Sequence, residues 1–211
     1  MITDKNHYGK VTASRAIDVM SEGRRKDELF GQTFFTYAKE LAMNRLGVFD
    51  DDYTSQAMEW GIENEPFVRD TYANKFKVII DNPEFIISEF DNRIGATPDG
   101  IIRWIEGNIQ SIIEIKCPQV KAHWDNILTG IPKNYYLQVQ FQLMVTGASW
   151  CDFISWNPEF PDELQFYRQR IEPDKELIEK MRERAIILAN VVDLIVEHRN
   201  LNIVYEYLNE L

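Results

Sequence analysis

Cysteine and histidine are nearly absent: the chain of 211 residues has two cysteines, Cys117 and Cys151, and three histidines. No CxxC pair occurs, which excludes a zinc site or a disulfide framework and leaves two thiols expected to be buried and reduced. Long apolar runs are missing as well, and the opening Met-Ile-Thr-Asp-Lys-Asn-His is not a signal peptide. A cytoplasmic address is expected, with no membrane partner. Internal repeats, low-complexity tracts and linkers are also lacking, so the expectation is one domain over residues 1–211. Basic residues are scarce: 23 Lys and Arg face 34 Asp and Glu, a net charge of −11. That balance speaks against a nucleic-acid partner, because phosphate neutralisation supplies much of such affinity. Local potential can still differ from net charge, and acids gathered round a bound cation reverse their effective sign.

What is present centres on residues 95–116. Glu114 and Lys116 lie two apart in Ser-Ile-Ile-Glu-Ile-Lys, so on a strand both point to one face while Ile113 and Ile115 point to the other. Asp99 sits in a Pro-Asp-Gly turn one hairpin earlier, from which its carboxylate can reach the same place. Two acids and a lysine suit a hard cation with a proton-handling amine beside it. The competing reading of Glu114 and Lys116 is a cross-strand ion pair on a sheet face.

The rest of the chain reads as helices before and after a set of short strands. Residues 11–20 suggest a short helix with Thr12 or Ser14 as cap and Ile17 and Met20 inward. A hydroxyl and Arg15 at a helix start form either an anion pocket or an ordinary cap beside a solvated arginine. Residues 21–27 form a polar loop with the densest basic cluster, Arg24-Arg25-Lys26. Helical spacing covers 30–47, where Phe34, Tyr37, Ala38, Leu41 and Ala42 recur. It also covers 54–76, with Met58, Ile62, Phe67, Tyr72, Ala73 and Phe76 apolar and a kink or restart near Glu65 expected from Pro66. Of Glu59, Glu63 and Glu65, one is expected to face the cation site.

Strands are expected at 77–81, 84–90, 93–97, 100–105 and 111–116, with a turn at Asn82-Pro83 and another at Glu106-Gly107-Asn108. A short helix follows at 120–128. Residues 133–147 then form an amphipathic helix with Tyr135, Gln138 and Gln142 on one face and Gly147 at its end. Strands at 150–156 and 164–171, a long helix from 175 to about 199 and a shorter one to 211 complete an α/β chain.

The ordered set Thr12-Ala-Ser14, Trp60-Gly61 with Glu65, Pro98-Asp99-Gly100, Glu114-x-Lys116-Cys-Pro and Tyr135-x-x-Gln138-x-Gln140 with Val145-Thr146 resembles the phage lambda exonuclease family, the viral-recombinase nucleases. The likeness runs over roughly residues 11 to 157. It implies a restriction-endonuclease-like core, a central mixed β-sheet flanked by helices, within a homotrimeric ring. It further implies a processive Mg²⁺-dependent exonuclease, two cations per site with Mn²⁺ able to substitute. Such an enzyme degrades the 5′-ended strand of linear double-stranded DNA and passes the 3′ overhang to a single-strand annealing protein.

Carried over by motif, Asp99, Glu114 and the Ile115 carbonyl are metal ligands. Lys116 positions or activates the attacking water, Glu65 is the helix acid facing the metals, and Gln138 lines the site. Ser14 matches the hydroxyl that holds a 5′-phosphate. An arginine found before that serine in the family is replaced here by His7 and Lys10, so Arg15, Arg24 or Arg25 are the candidate phosphate cations, with Thr97 and Gln140 also expected on DNA. The alternatives are a RecB-like or restriction-type endonuclease and a non-catalytic DNA-end-binding scaffold.

Overall fold

A computed structural model describes residues 7–25, 28–49, 55–82 and 84–210. Lys26, the expected helix start at Thr54, Pro83 of the expected turn and Leu211 lie outside the described residues.

The centre is a four-stranded mixed sheet in the order β4-β5-β6-β7, formed by Gly100–Arg103, Ile109–Lys116, Cys151–Trp156 and Phe166–Ile171. β4/β5 and β6/β7 are antiparallel hairpin neighbours, and β5 and β6 run parallel. The first hairpin closes where Gly107 takes φ +94° and donates its N–H to the Trp104 carbonyl at 2.9 Å. A parallel pair needs a crossover, and here it is made by α4 (Val120–Thr129) and α5 (Lys133–Thr146).

β5 alternates as its sequence demands. Ile113 and Ile115 join Val68, Tyr72 and Ile154 in one apolar layer, under helix α3 (Gln56–Phe76). Ile112 packs on the other face with Val139, Leu143 and Phe153, under α5. α5 is buried nearly all round over its C-terminal part because it is shared. Leu137, Phe141, Met144 and Val145 turn to a third and larger core, built with α1 (Ala16–Val19), α2 (Gln32–Arg45), α6 (Lys175–His198) and α7 (Leu201–Asn209). That core also covers a three-stranded sheet, β1-β3-β2, from Val11–Thr12, Ile94–Ala96 and Ile86–Ile87, with β1 parallel and β2 antiparallel to β3.

Three expectations are corrected. Residues 11–20 are not one helix: Val11 donates to the Arg93 carbonyl and pairs as a strand, a 3₁₀ turn Ala13–Arg15 follows, and only Ala16–Val19 is α-helical. Ala16 and Val19 therefore point inward while Ile17 is 42% exposed, and Thr12 makes no cap bond. The β-rich runs 77–81 and 84–90 form little sheet, since Lys77 ends α3 at φ 56° and, among the described residues, the first run reaches β4 through a single bridge from Asp81 to Ile101. β2 is just two residues long.

In α3 the apolar face is half of what its periodicity suggests. Val68 and Tyr72 are buried on the sheet, whereas Met58 and Ile62 are exposed because only the C-terminal half covers β5, and Phe67, 57% exposed, sits off the face that carries Val68 and Tyr72. The helix runs through Pro66 without a restart. The other helices match their spacing, including the buried set Phe34, Tyr37, Ala38, Leu41 and Ala42 in α2. Both cysteines are free and buried. Burial, then the charges of Glu65 and Asp99, pushes the Cys117 thiol up to about 12, and burial also holds the Cys151 thiol well above its ordinary value. Neither is poised to react. Among the described residues no helix is long and apolar enough to cross a membrane.

Candidate active site

The site forms where β4 and β5 part company. Asp99 immediately precedes β4; its N–H donates to the Ile113 carbonyl at 3.0 Å and its Oδ2 accepts from the Ile115 N–H at 2.6 Å. The carboxylate thus occupies the place where the next ladder bond would form. In a strand the N–H and C=O of one residue point to the same side. The Ile115 carbonyl therefore opens toward Asp99, before the first residue of β4 that pairs. Arg69 of α3 donates from Nε to the Asp99 carbonyl at 2.6 Å, which fixes the turn from the other side.

Glu114 and Lys116 leave β5 on the α5 face, as alternation requires. Glu114 is 1% exposed, and its Oε1 lies 2.5 Å from the Lys116 ammonium. The same oxygen accepts from Gln138 Nε2 at 2.6 Å, and Oε2 accepts from Gln142 Nε2 at 2.6 Å. The three residues expected on one face of α5 do converge here, for Tyr135 sets its ring 5.1 Å beneath the Lys116 ammonium. The ion pair of Glu114 and Lys116 exists, but inside a polar cluster and not alone on a sheet face.

Charge is unbalanced in this corner. Burial raises Asp99 well above the usual carboxylate range, the charge of Glu114 adds to that, Lys116 opposes it and Glu65 reinforces it. Glu65, one helical turn before Arg69, is also raised, by burial first and against the pull of Lys116. Burial alone would lower the Lys116 amine, but Glu114 and Asp99 outweigh it and the amine is raised. Of the three α3 acids singled out, Glu65 is the one that senses the cluster, and Glu59 and Glu63 are exposed.

These residues fit a divalent cation. Asp99, Glu114 and the Ile115 carbonyl are hard oxygen donors, and a buried Asp99 carboxylate set against the charge of Glu114 gains when a cation is placed between them. Among the described residues no three acidic, histidine or cysteine side chains meet at ligand distance. A cation would take these few protein oxygens and fill the remainder with water and substrate, which is how Mg²⁺ is commonly held.

The expected phosphate residues are placed unevenly. β1 pairs with β3 in the register Thr12 to Gly95; Ser14 follows β1 in the 3₁₀ turn Ala13–Arg15, and Thr97 follows β3, two residues before Asp99. Both are exposed. Ser14 Oγ lies 3.3 Å from Thr12 Oγ1. Arg15 is already neutralised: it donates to Asp18 at 2.5 Å and to Glu40 at 2.6 Å and stacks on Tyr37, so it is not a free phosphate cation. Arg24 and Arg25 are exposed, and Arg25 pairs with Glu28 at 3.0 Å.

Gln140 is a correction. It is fully buried and spends its amide on the Glu172 carbonyl and the Asp174 N–H, both at 2.9 Å, because it faces away from Gln138 around α5; it cannot touch DNA.

Sequence reasoning missed Arg69 and the role of Gln142, although each is spaced by four from a residue it had singled out, Glu65 and Gln138. It also missed Asp152 on β6, which accepts from Tyr72, Arg168 and Arg170. The i, i+2 spacing of the two arginines on β7 was the available signal.

A mixed sheet with this connectivity and a carboxylate cluster at the end of its central parallel pair belongs to the restriction-endonuclease-like class. The chain superposes on an alkaline exonuclease, LHK-Exo, from Laribacter hongkongensis with a TM-score of 0.80 at 33% identity, covering 91% of this chain and 92% of that one. The same protein in complex with dAMP gives a TM-score of 0.79 at 34% identity over 91% and 92% of the chains. A phage-related exonuclease from Haemophilus somnus 129PT shares the fold, with a TM-score of 0.74 at 16% identity, covering 90% and 96%. No curated protein matches the sequence. Residues 4–149 match the YqaJ-like viral recombinase domain, and the chain belongs to that family.

Proposed function

We propose that this chain is a divalent-metal-dependent exonuclease that degrades the 5′-ended strand of linear duplex DNA to mononucleotides. The observation that carries the reading is the convergence of Asp99, Glu114, Lys116 and Gln138 at the open end of β5. Its family supports it, as does a deoxynucleotide bound by the Laribacter relative. Mg²⁺, two per site and replaceable by Mn²⁺, would polarise the scissile phosphate and supply a nucleophilic water at neutral pH. Asp99, Glu114 and the Ile115 carbonyl would hold it. Lys116 aims an ammonium into the same space, where it orients the attacking water. Glu65 shapes the field from α3, and Gln138 holds Glu114 Oε1.

Ser14 and Thr97, both exposed and each just beyond a strand of the β1/β3 pair, are the proposed contacts of the terminal 5′-phosphate, with Arg24 and Arg25 bringing positive charge to the duplex. The same reading includes one domain, a homotrimeric ring, processive action and a 3′ overhang handed to a single-strand annealing protein. The deciding experiment is one digestion of 5′-phosphorylated, 5′-hydroxyl and covalently closed circular duplex, with Mg²⁺ and with chelator. Mononucleotides from the first substrate alone, only with Mg²⁺, are expected. Cleavage of circles would point to an endonuclease, and no hydrolysis with either Mg²⁺ or Mn²⁺ to a binding scaffold. A monomeric mass at assay concentration would remove the ring.

A further inference from the structure

Glu114 is held from two sides that differ in kind. Lys116 and Gln138, which meet Oε1, are partly exposed and have room to shift, whereas Gln142, which meets Oε2, is fully buried in α5. A carboxylate only accepts hydrogen bonds, so Gln142 must turn its amide nitrogen toward it. That orientation has a consequence. The Gln142 Oε1 atom is shut away from solvent with no hydrogen-bond partner among the described residues. A buried acceptor left in that state costs about 1–3 kcal/mol. Turning the amide over would set oxygen against the Glu114 carboxylate instead. A methionine, an unbranched side chain of similar length, would carry no such orphaned atom. The fold nevertheless keeps an amide there, and its nitrogen also lies 3.5 Å from the carbonyl of Thr97, two residues before Asp99.

We propose that Gln142 is a positioning residue that fixes the carboxylate plane of Glu114 by holding Oε2, and so reserves Oε1 for a divalent cation. This rests on the reading above that Glu114 is a cation ligand. A glutamate has three rotatable side-chain bonds, and when a cation takes Oε1 from Lys116 and Gln138, only the bond from Gln142 continues to define where that oxygen points. Gln142 touches neither substrate nor cation in this arrangement and acts through Glu114. Partners that orient a metal ligand in this way are worth roughly 10–100-fold in metal affinity.

The test uses Mn²⁺ titrated calorimetrically into the full-length protein without DNA, so that no turnover is read. Gln142→Met is expected to weaken Mn²⁺ binding by about tenfold or more. Gln142→Asn, one methylene too short to reach Oε2, should do the same and serves if the methionine variant does not fold. Gln140→Met, which changes a buried glutamine of the same helix whose amide bonds the 172–174 segment and not Glu114, is the control and should leave the affinity within about twofold. Folded Gln142 variants that bind Mn²⁺ as the unaltered chain does would overturn the proposal, as would an equal loss in the Gln140 variant. An unaltered chain that takes up no Mn²⁺ would overturn the cation reading itself, a result seen before any substitution is made.

Discussion

Glu114 on β5 and Asp152 on β6 lie on adjacent parallel strands, and both carboxylates are closed to solvent, at 1% and 0% exposure. They face opposite sides of the sheet and keep different company. Asp152 accepts from the Tyr72 hydroxyl at 2.5 Å, from Arg168 at 3.1 Å and from Arg170 at 3.0 and 3.1 Å, so two guanidinium groups answer one carboxylate. Those guanidinium groups lie over Phe76 and Trp150. Glu114 has one ammonium, shared with Asp99 and with the field of Glu65, and two neutral amides. A buried carboxylate with excess positive charge around it is finished, and its work is to tie β6, β7 and α3 together. A buried carboxylate in a cluster short of positive charge is waiting for a cation. The same residue class at the same depth thus serves architecture on one face and chemistry on the other.

The largest effect that tests this contrast is on activity. Glu114→Gln and Lys116→Ala should each lower the rate of duplex digestion about a hundred- to a thousandfold, the scale of removing one preorganised electrostatic group. Both should still bind DNA ends in a gel-shift assay. Asp152→Asn should leave the rate of the folded fraction within a few-fold. If Glu114→Gln cut normally while Asp152→Asn abolished cutting in a fully folded protein, the two roles would have to be exchanged.

The converse effect is on stability. Breaking a fully buried ion pair by removing one partner costs about 3–5 kcal/mol, and the partners here, Arg168 and Arg170, are 34% and 45% exposed and can turn to water. Asp152→Asn should therefore cost less, about 2–3 kcal/mol by urea unfolding, after the discount that solvent screening requires. Glu114→Gln keeps an acceptor for one amide and removes a crowded charge, so its cost should stay below about 1 kcal/mol. A larger loss for Glu114→Gln than for Asp152→Asn would break the contrast.

These two faces were not equally legible in the sequence. Glu114, Lys116 and Asp99 announce themselves because polar residues interrupt an isoleucine-rich strand and a Pro-Asp-Gly turn, and their convergence needs only strand alternation and one hairpin. Tyr135, Gln138 and Gln142 follow from helical spacing alone. Asp152 gave no signal of its own, because Cys-Asp-Phe-Ile-Ser-Trp reads as any buried strand, and the paired arginines that hint at it come 16 and 18 residues later on a strand whose pairing no local pattern states. The exposed half of α3 misled for a related reason: Met58 and Ile62 have the right period, but how far a helix overlaps its sheet is a tertiary fact. Gln140 misled because adjacent glutamines on one helix look alike until the direction of each is known. Arg184 was unforeseeable; it is buried in α6 and donates to the carbonyls of Val19, Ser21 and Leu29, holding both ends of the basic segment that carries Arg24 and Arg25.

The smallest expected effect sharpens the contrast through pH. Asp99 and Glu65 have folded-state values raised above the ordinary ones, by burial and by Glu114. A carboxyl raised on folding binds more protons in the native than in the unfolded state between the two pKa values, so unfolding free energy falls as pH rises through that window. Without divalent cations the protein should therefore lose stability from about pH 4, the unfolded carboxyl value, upward through the raised native values. Glu65→Gln removes one of the two contributions and should raise the melting temperature at pH 7 in chelator, where each kcal/mol corresponds to about 2–4 °C for a chain of this size. That gain should vanish below about pH 4, where the unfolded carboxyl is protonated too. Mn²⁺ should reverse the trend, stabilising the unaltered chain more strongly as pH rises and the carboxylates ionise to receive it. Melting curves at four or five pH values with chelator or Mn²⁺ decide the matter. Equal Mn²⁺ stabilisation at pH 5 and pH 8, or a Glu65→Gln variant less stable than its parent in chelator at pH 7, would show that the β5 face is balanced in charge as the Asp152 face is, and the distinction between a finished and a waiting carboxylate would fall.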